Sequence, residues 1–330
     1  TTGSSNTASG TQSLYSNTEG SNNTASGKNS LYSNTTGSRN TASGQESLFA
    51  NTEGDKNTAS GYNSLYANTT GDENTASGYY SLFANTTGTR NIAIGYRAYD
   101  NADAEDDNLA IGYDALGGAV AGGEYNISIG NYSLDANTSG DYNVAVGYNA
   151  LTANTTGTYN AASGYGALQA NTFGGYNTAS GGRALYINTT GDYNTASGSR
   201  ALYYNTTGAN NTASGYAALQ ANTTGGNNTA LGMYAGDVIT TGTNNVLLGY
   251  SADPSAVDGA NQIVIGKDAT GQGDNYAVIG NADITRLYAA QDAGATLYAG
   301  GLNIGGTAVT STAAELNILD GVTSTATELN

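Results

Sequence analysis

An internal repeat of 17 residues dominates the sequence. The pentapeptide NTASG recurs in strict phase at the start of the chain, beginning at Asn6, Asn23, Asn40, Asn57 and Asn74. Apolar variants such as NIAIG and NVAVG continue the phase, and the closing glycine recurs 17 times between Gly10 and Gly280. A repeat of this length is too short for a pair of helices. It therefore predicts an all-β fold, a β-solenoid in which short strands stack turn upon turn.

A second segment, S/A-L-Y/F-x-N-T-T-G, lies between successive pentapeptides. Each turn thus holds two short segments separated by corners. We expect the first asparagine of NTASG and the asparagine of N-T-T-G to form two ladders along the stack, because stacked amides can bond from turn to turn. The repeat glycines are expected at corners where φ is positive or a Cβ would clash; the first five are Gly10, Gly27, Gly44, Gly61 and Gly78.

Alternation within the pentapeptide predicts which side chains face the interior. Thr7 and Ser9 correspond to Ile92 and Ile94 in a later repeat. Residues two apart in a strand share one face. We therefore expect this face to be buried, with Leu14 and its equivalents packing against it from the second segment.

Composition excludes several classes of function. The chain has no Cys and no His, which removes thiol nucleophiles, zinc–thiolate sites and the commonest general base. Nine Lys and Arg against 26 Asp and Glu argue against nucleic-acid binding, and no apolar run reaches the roughly 18 residues that a membrane span requires. We expect no enzyme activity, no cofactor and no membrane insertion. The opening residues TTGSSN suggest a fragment or a processed product.

The motifs NIAIG, NLAIG, NISIG and NVAVG, followed by Y-x-A-L, resemble the head repeats of trimeric autotransporter adhesins (YadA-like heads). The resemblance covers roughly residues 4–282 and implies a left-handed parallel β-roll that assembles as a homotrimer. The period of 17 departs from about 14 in that family, which implies a longer outer loop. A thin roll buries little apolar area for its chain entropy, which also favours assembly. Ala8, Ala25 and Ala42, opposite the Thr and Ser face, are expected to face the other subunits or, alternatively, only a loop.

The composition changes after the last repeat, which predicts a β-roll domain at 1–282 and a mixed connector or shaft at 283–330. The string TAAELNILDGVT…TELN resembles linker repeats of bacteriophage tail fibres and related receptor-binding proteins. Thr312 with Glu315 and Thr325 with Glu328 have the spacing of capping boxes that open short helices.

Two groups of side chains are candidate binding residues. An acidic segment offers weak calcium candidates, with a solvated loop as the alternative interpretation: Asp100, Asp103, Glu105, Asp106 and Asp107. Tyrosines that directly or nearly follow a repeat glycine would suit contacts to sugars or proteins if exposed, or else would cover the roll: Tyr62, Tyr79, Tyr80, Tyr113 and Tyr148.

These features favour a structural protein of the virion, a trimeric phage tail fibre that contacts a host-surface glycan or protein and other tail proteins. The alternative is the head of a bacterial trimeric adhesin on the cell surface, which flanking sequence would distinguish. A less favoured alternative is an ice- or mineral-binding solenoid. It requires the Thr of NTASG to lie on a flat exposed face, and its replacement by Ile, Leu and Val argues for burial instead.

Overall fold

The structure is a computed structural model that describes residues 2–118, 123–287, 302–304 and 307–309. The chain divides into two units, Thr1–Asp283 and Ile284–Asn330. The first is a parallel β-solenoid with one three-residue strand in each turn, and the described residues contain no helix. The all-β solenoid predicted from the repeat is confirmed.

Seventeen strands form one sheet in which each strand pairs in parallel, and in register, with the next along the chain. Equivalent residues of successive repeats therefore lie directly above one another. The strands are β1 (Thr7–Ser9), β2 (Thr24–Ser26), β3 (Thr41–Ser43), β4 (Thr58–Ser60), β5 (Thr75–Ser77), β6 (Ile92–Ile94), β7 (Leu109–Ile111), β8 (Ile127–Ile129), β9 (Val144–Val146), β10 (Ala161–Ser163), β11 (Thr178–Ser180), β12 (Thr195–Ser197), β13 (Thr212–Ser214), β14 (Thr229–Leu231), β15 (Val246–Leu248), β16 (Ile263–Ile265) and β17 (Ala277–Ile279).

In the second unit, the described residues form one antiparallel pair, β18 (Leu302–Ile304) with β19 (Thr307–Val309). The helix starts predicted at Thr312 and Thr325 lie outside the described residues.

The prediction of which strand face is buried was wrong. From β2 to β14 the middle residue of each strand is buried, whereas its two neighbours point outward and are exposed or half-buried. Ala25 and Ala42 are therefore interior residues, not surface residues facing another subunit. Thr24, Ser26, Ile92 and Ile94 lie on the outer face.

The reversal has a steric cause. The solenoid interior is filled from the opposite wall by the leucine of the second segment, and these leucines are fully buried from Leu31 to Leu219. Only a small side chain fits between that wall and the strand. Where the middle residue enlarges to Leu247, the facing leucine position becomes Gly236, whose Cβ would lie 2.5 Å from Leu247 Cδ1. The side chains at these two positions thus compete for the same space in the interior.

The leucines adopt an unusual backbone conformation. Leu31, Leu48 and their equivalents have φ near +50°, in the left-handed region that branched residues rarely occupy. That conformation costs about 1–2 kcal/mol per residue, and full burial of the side chain offsets it. The asparagines of the first ladder do not have positive φ; the residue before each of them, such as Asn22 or Arg39, has it instead.

Two asparagine ladders follow the solenoid. In the first, Oδ1 of one asparagine accepts from the backbone N–H of the next, as from Asn40 to Asn23 at 2.9 Å. In the second, the amides bond directly, as from Asn51 Nδ2 to Asn34 Oδ1 at 2.8 Å. The second ladder breaks where Ala102 replaces asparagine, and Asn85 Oδ1 below it is buried without a partner. Buried amides thus substitute for apolar volume that the sequence lacks.

Candidate functional site

The outer face of the 17-stranded sheet, hereafter the sheet face, carries two outward side chains from every strand. Hydroxyls dominate β1–β5 and most of β10–β13, as Thr and Ser in register. Apolar side chains replace them on two groups of neighbouring strands, β6–β9 and β14–β17, except at Thr229 of β14. The largest exposed fractions are Leu231 55%, Ile279 55%, Ile263 42% and Ile94 41%. Contiguous exposed apolar surface of this kind is typical of an interaction surface.

Aromatic side chains form stacked columns outside the strands. The first column contains Tyr15, Tyr32, Phe49, Tyr66 and Phe83, with ring centroids 5.1–5.2 Å apart. The second contains Tyr62, Tyr79, Tyr96 and Tyr113, and the third contains Tyr125, Tyr142, Tyr159, Tyr176 and Tyr193. Stacking covers the ring faces, so each column presents mainly ring edges and hydroxyls. The columns follow from in-register repetition, because any aromatic position repeated every 17 residues must stack.

The five tyrosines predicted as surface residues are distributed over these features. Tyr62, Tyr79 and Tyr113 belong to the second column and are 37–46% exposed. Tyr148 is 44% exposed and stacks on Tyr165. Tyr80 is half-buried, tilted between the first and second columns.

The carboxylates of the acidic segment do not converge on one point. Asp107 makes a bidentate pair with Arg90 at 2.6 and 2.8 Å, and Asp106 accepts from the backbone N–H of Thr89 at 2.6 Å. Asp100 pairs with Arg97 at 2.6 Å. The two remaining groups bond locally, Glu105 to the backbone N–H of Asp103 and Asp103 to the Thr86 hydroxyl. Within the described ranges, no group of three or more carboxylates is placed to hold a metal ion.

The side chain of Asp100 is buried beside a surface cavity of about 400 Å³. The cavity is lined mainly by Tyr79, Tyr80, Phe83, Tyr96, Arg97 and Asp100. Burial raises the pKa of Asp100, and the adjacent Arg97 guanidinium acts in the opposite direction. From the sequence, Asp100 was a calcium candidate, but the cavity was not predicted. The cavity lies next to Phe83, the last ring of the first column, and the column itself was not predicted.

Asp253 is a half-buried carboxyl whose pKa is shifted upward. Burial, helped by repulsion from Asp237, raises its pKa from 3.8 to about 6. The folded protein therefore holds this proton more tightly than the unfolded chain, so the carboxyl favours folding at low pH and this advantage is lost as pH rises through 6.

We expect the melting temperature to rise when pH falls from 7.5 to 4.5, and we expect Asp253→Asn to reduce that gain. Asp258→Asn removes the same charge from an exposed position nearby, and it should leave that gain nearly unchanged. Scanning calorimetry of both variants at the two pH values measures the difference. Equal gains in the two variants would contradict the role given to Asp253.

No protein-family model matches the chain, and no curated protein matches it either. In the part of the chain that the structure describes, no helix is long and apolar enough to cross a membrane.

Proposed function

We propose that this chain is a segment of a homotrimeric bacteriophage tail fibre that contacts the host surface through repeated weak sites. The observation that carries the proposal is the apolar part of the sheet face. Ile92, Ile94, Ile127, Val144 and Val146 are each 37–41% exposed on adjacent strands. Covering them with equivalent surfaces of two further copies would remove this apolar area from water.

Assembly through the sheet face replaces the alanine surface expected from the sequence. The small Thr and Ser side chains of β1–β5 and β10–β13 allow other copies to approach closely where apolar side chains are absent. We propose three subunits because the repeats resemble trimeric adhesin heads. We propose a phage protein because the C-terminal segment resembles the linker repeats of tail fibres. The bacterial adhesin remains the alternative with the same assembly.

Repetition supports an attachment role. Three chains present every surface site three times, and repeated columns present similar groups along the stack. Linked weak sites gain avidity without any strong single contact. The net charge of −17 keeps such chains apart in solution except where apolar surfaces match.

Ile94→Lys is expected to weaken or abolish the trimer, because the substitution places a charge in the centre of the apolar patch. Its effect on the fold of one chain should be small, since the side chain is 41% exposed. Tyr142→Lys is the matched control: that side chain is 45% exposed but belongs to the third column. Sedimentation equilibrium of both variants checks the prediction. Equal masses for Ile94→Lys and wild type would contradict the interface.

One observation favours a second candidate, a binder of an ordered surface such as ice or mineral. The Thr and Ser of β2–β5 and β11–β13 lie outward in register on a continuous sheet, as that function requires. The argument against it, burial of the threonines, is overturned. The candidate demands an open sheet face, so it predicts a monomer that arrests ice growth, whereas the fibre predicts a trimer that does not.

A further inference from the structure

The first aromatic column ends abruptly at Phe83. One turn further along the chain, the column position is held by Asp100, and Ala84 N–H donates to Asp100 O at 3.0 Å across the two turns. The next column position is Gly117, whose carbonyl accepts from Asn101 Nδ2 at 2.7 Å. Tyr66 stacks on the ring of Phe83 at 5.2 Å, Tyr80 leans against it, and no ring from the next turn stacks on it. Phe83 also lines the cavity of about 400 Å³.

The walls of this gap are aromatic. Tyr80 leans against Phe83 with centroids 4.7 Å apart and against Tyr79 at 4.6 Å. Tyr96 continues the second column beside the cavity, stacked on Tyr79 at 5.3 Å. Successive rings of the first column lie 5.1–5.2 Å apart, so a flat ring stacked on Phe83 at that spacing would span one turn.

The edge of the gap is polar. Arg97 Nε donates to Asp100 Oδ2 at 2.6 Å, and Asn101 Nδ2 lies 3.1 Å from Asp100 Oδ1. Because the Asn101 amide donates to Asp100 and to Gly117, this edge offers the remaining guanidinium donors of Arg97 next to carboxylate acceptors. Vicinal hydroxyls, each both donor and acceptor, match such an arrangement.

We propose that the gap binds one pyranose ring of an uncharged saccharide. The apolar C–H face of the sugar stacks on Phe83 in the place of the missing aromatic residue. Its hydroxyls bond to the Arg97–Asp100 pair and donate to Asn101 Oδ1. A purely aromatic ligand could stack on Phe83, but it would make no hydrogen bonds to Arg97 and Asp100. Leaving these polar groups without partners in the complex costs free energy.

Charge narrows the class of saccharide. Besides Asp100, Asp114 Oδ1 lies 3.9 Å from Arg97 Nε. Burial raises the pKa of the nearby Asp135, and the charges of Asp114 and Asp100 act in the same direction. Two carboxylates thus lie within 4 Å of the Arg97 guanidinium. Sugars that carry a carboxylate are therefore disfavoured by repulsion.

This inference names a ligand class for the proposed attachment function and rests on it for its biological role, but the cavity is formed by a single chain. The test is saturation-transfer NMR on the full chain with four probes: the methyl glycosides of glucose, galactose and N-acetylglucosamine, and methyl glucuronide. We expect transfer to the ring protons of at least one uncharged glycoside and little to the glucuronide. No transfer to any uncharged glycoside, or equal transfer to the glucuronide, would overturn the assignment.

Asp100→Tyr is the decisive variant because it extends the first column by one ring and fills the gap. It should retain the fold, since aromatic residues occupy the same position in five earlier turns, and it should reduce binding at least tenfold.

Gln169→Tyr is the control. It adds the same ring to the same column position four turns away, next to Tyr186, and should leave binding unchanged. Phe83→Leu keeps apolar bulk but removes the ring face, and should also weaken binding. Unaltered binding by Asp100→Tyr would overturn the proposal.

The measured mass tests the trimer, and glycoside binding tests the saccharide site, so the two proposals can be rejected independently. A monomer that binds the glycoside would reject the trimeric fibre and retain the saccharide site. A trimer that binds none of the glycosides would do the reverse.

Discussion

Gly181→Ala is expected to destabilise the solenoid by more than about 2 kcal/mol, whereas Gly182→Ala is expected to be neutral or slightly stabilising. Gly181 has φ of +136°, and a Cβ there would lie 2.7 Å from the carbonyl carbon of Gly198 in the next turn. At Gly182 the nearest atom to an added Cβ is Ser199 Oγ at 4.0 Å. Position 181 therefore requires glycine, whereas the adjacent position 182 has room for a side chain.

Melting curves of the two variants provide the measurement. Because every turn carries a glycine equivalent to Gly181, each such substitution breaks contact between two neighbouring turns. Stacked repeats are stabilised largely by these nearest-neighbour contacts. Equal melting temperatures for Gly181→Ala and Gly182→Ala would contradict the close approach of successive corners.

Asn171→Asp is expected to destabilise the protein by about 2 to 5 kcal/mol at neutral pH. Asn171 Nδ2 donates to Asn154 Oδ1 at 2.9 Å and to Gly174 O at 2.8 Å, and all three residues belong to one buried ladder corner. An aspartate keeps the acceptor for Asn188 but loses both donors. The ionised carboxylate would then face two oxygens without water.

Asn210→Asp is the matched control, because Asn210 is exposed and has φ of +59°, a conformation that Asp107 adopts at the corresponding position. We expect that variant to change the unfolding free energy by no more than about 0.5 kcal/mol. The loss of unfolding free energy in Asn171→Asp should also become smaller at acidic pH, because protonation removes the charge and restores one donor. If Asn171→Asp lost no unfolding free energy, or only as much as the control, the result would contradict the ladder.

The fold class could be predicted from the repeat because a period of 17 residues with closing glycines permits few alternatives. The ladders could be predicted for the same reason: in-register stacking places identical amides above one another. The left-handed leucines could not, since local propensity disfavours them and only the packed interior makes them acceptable. The end of the first column at Asp100 is visible in the sequence only once the positions that stack are known.

The strand face was predicted wrongly because alternation alone says that two residues share a face, not which face is inside. Ile92 and Ile94 indicated burial by their chemistry. The near-constant alanine between them carried the opposite signal, since a position restricted to small residues indicates a crowded interior. The paired change to Leu247 and Gly236 was also present in the sequence, but only the structure shows that these side chains compete for one space.

The mass of the protein in solution tests the central claim most directly. Sedimentation equilibrium should give three times the 33.2 kDa of one chain, with the apolar strands of the sheet face covered in the assembly. Dissociation of Ile94→Lys but not of Tyr142→Lys would then locate the interface. A stable wild-type species of 33.2 kDa would contradict the trimeric fibre.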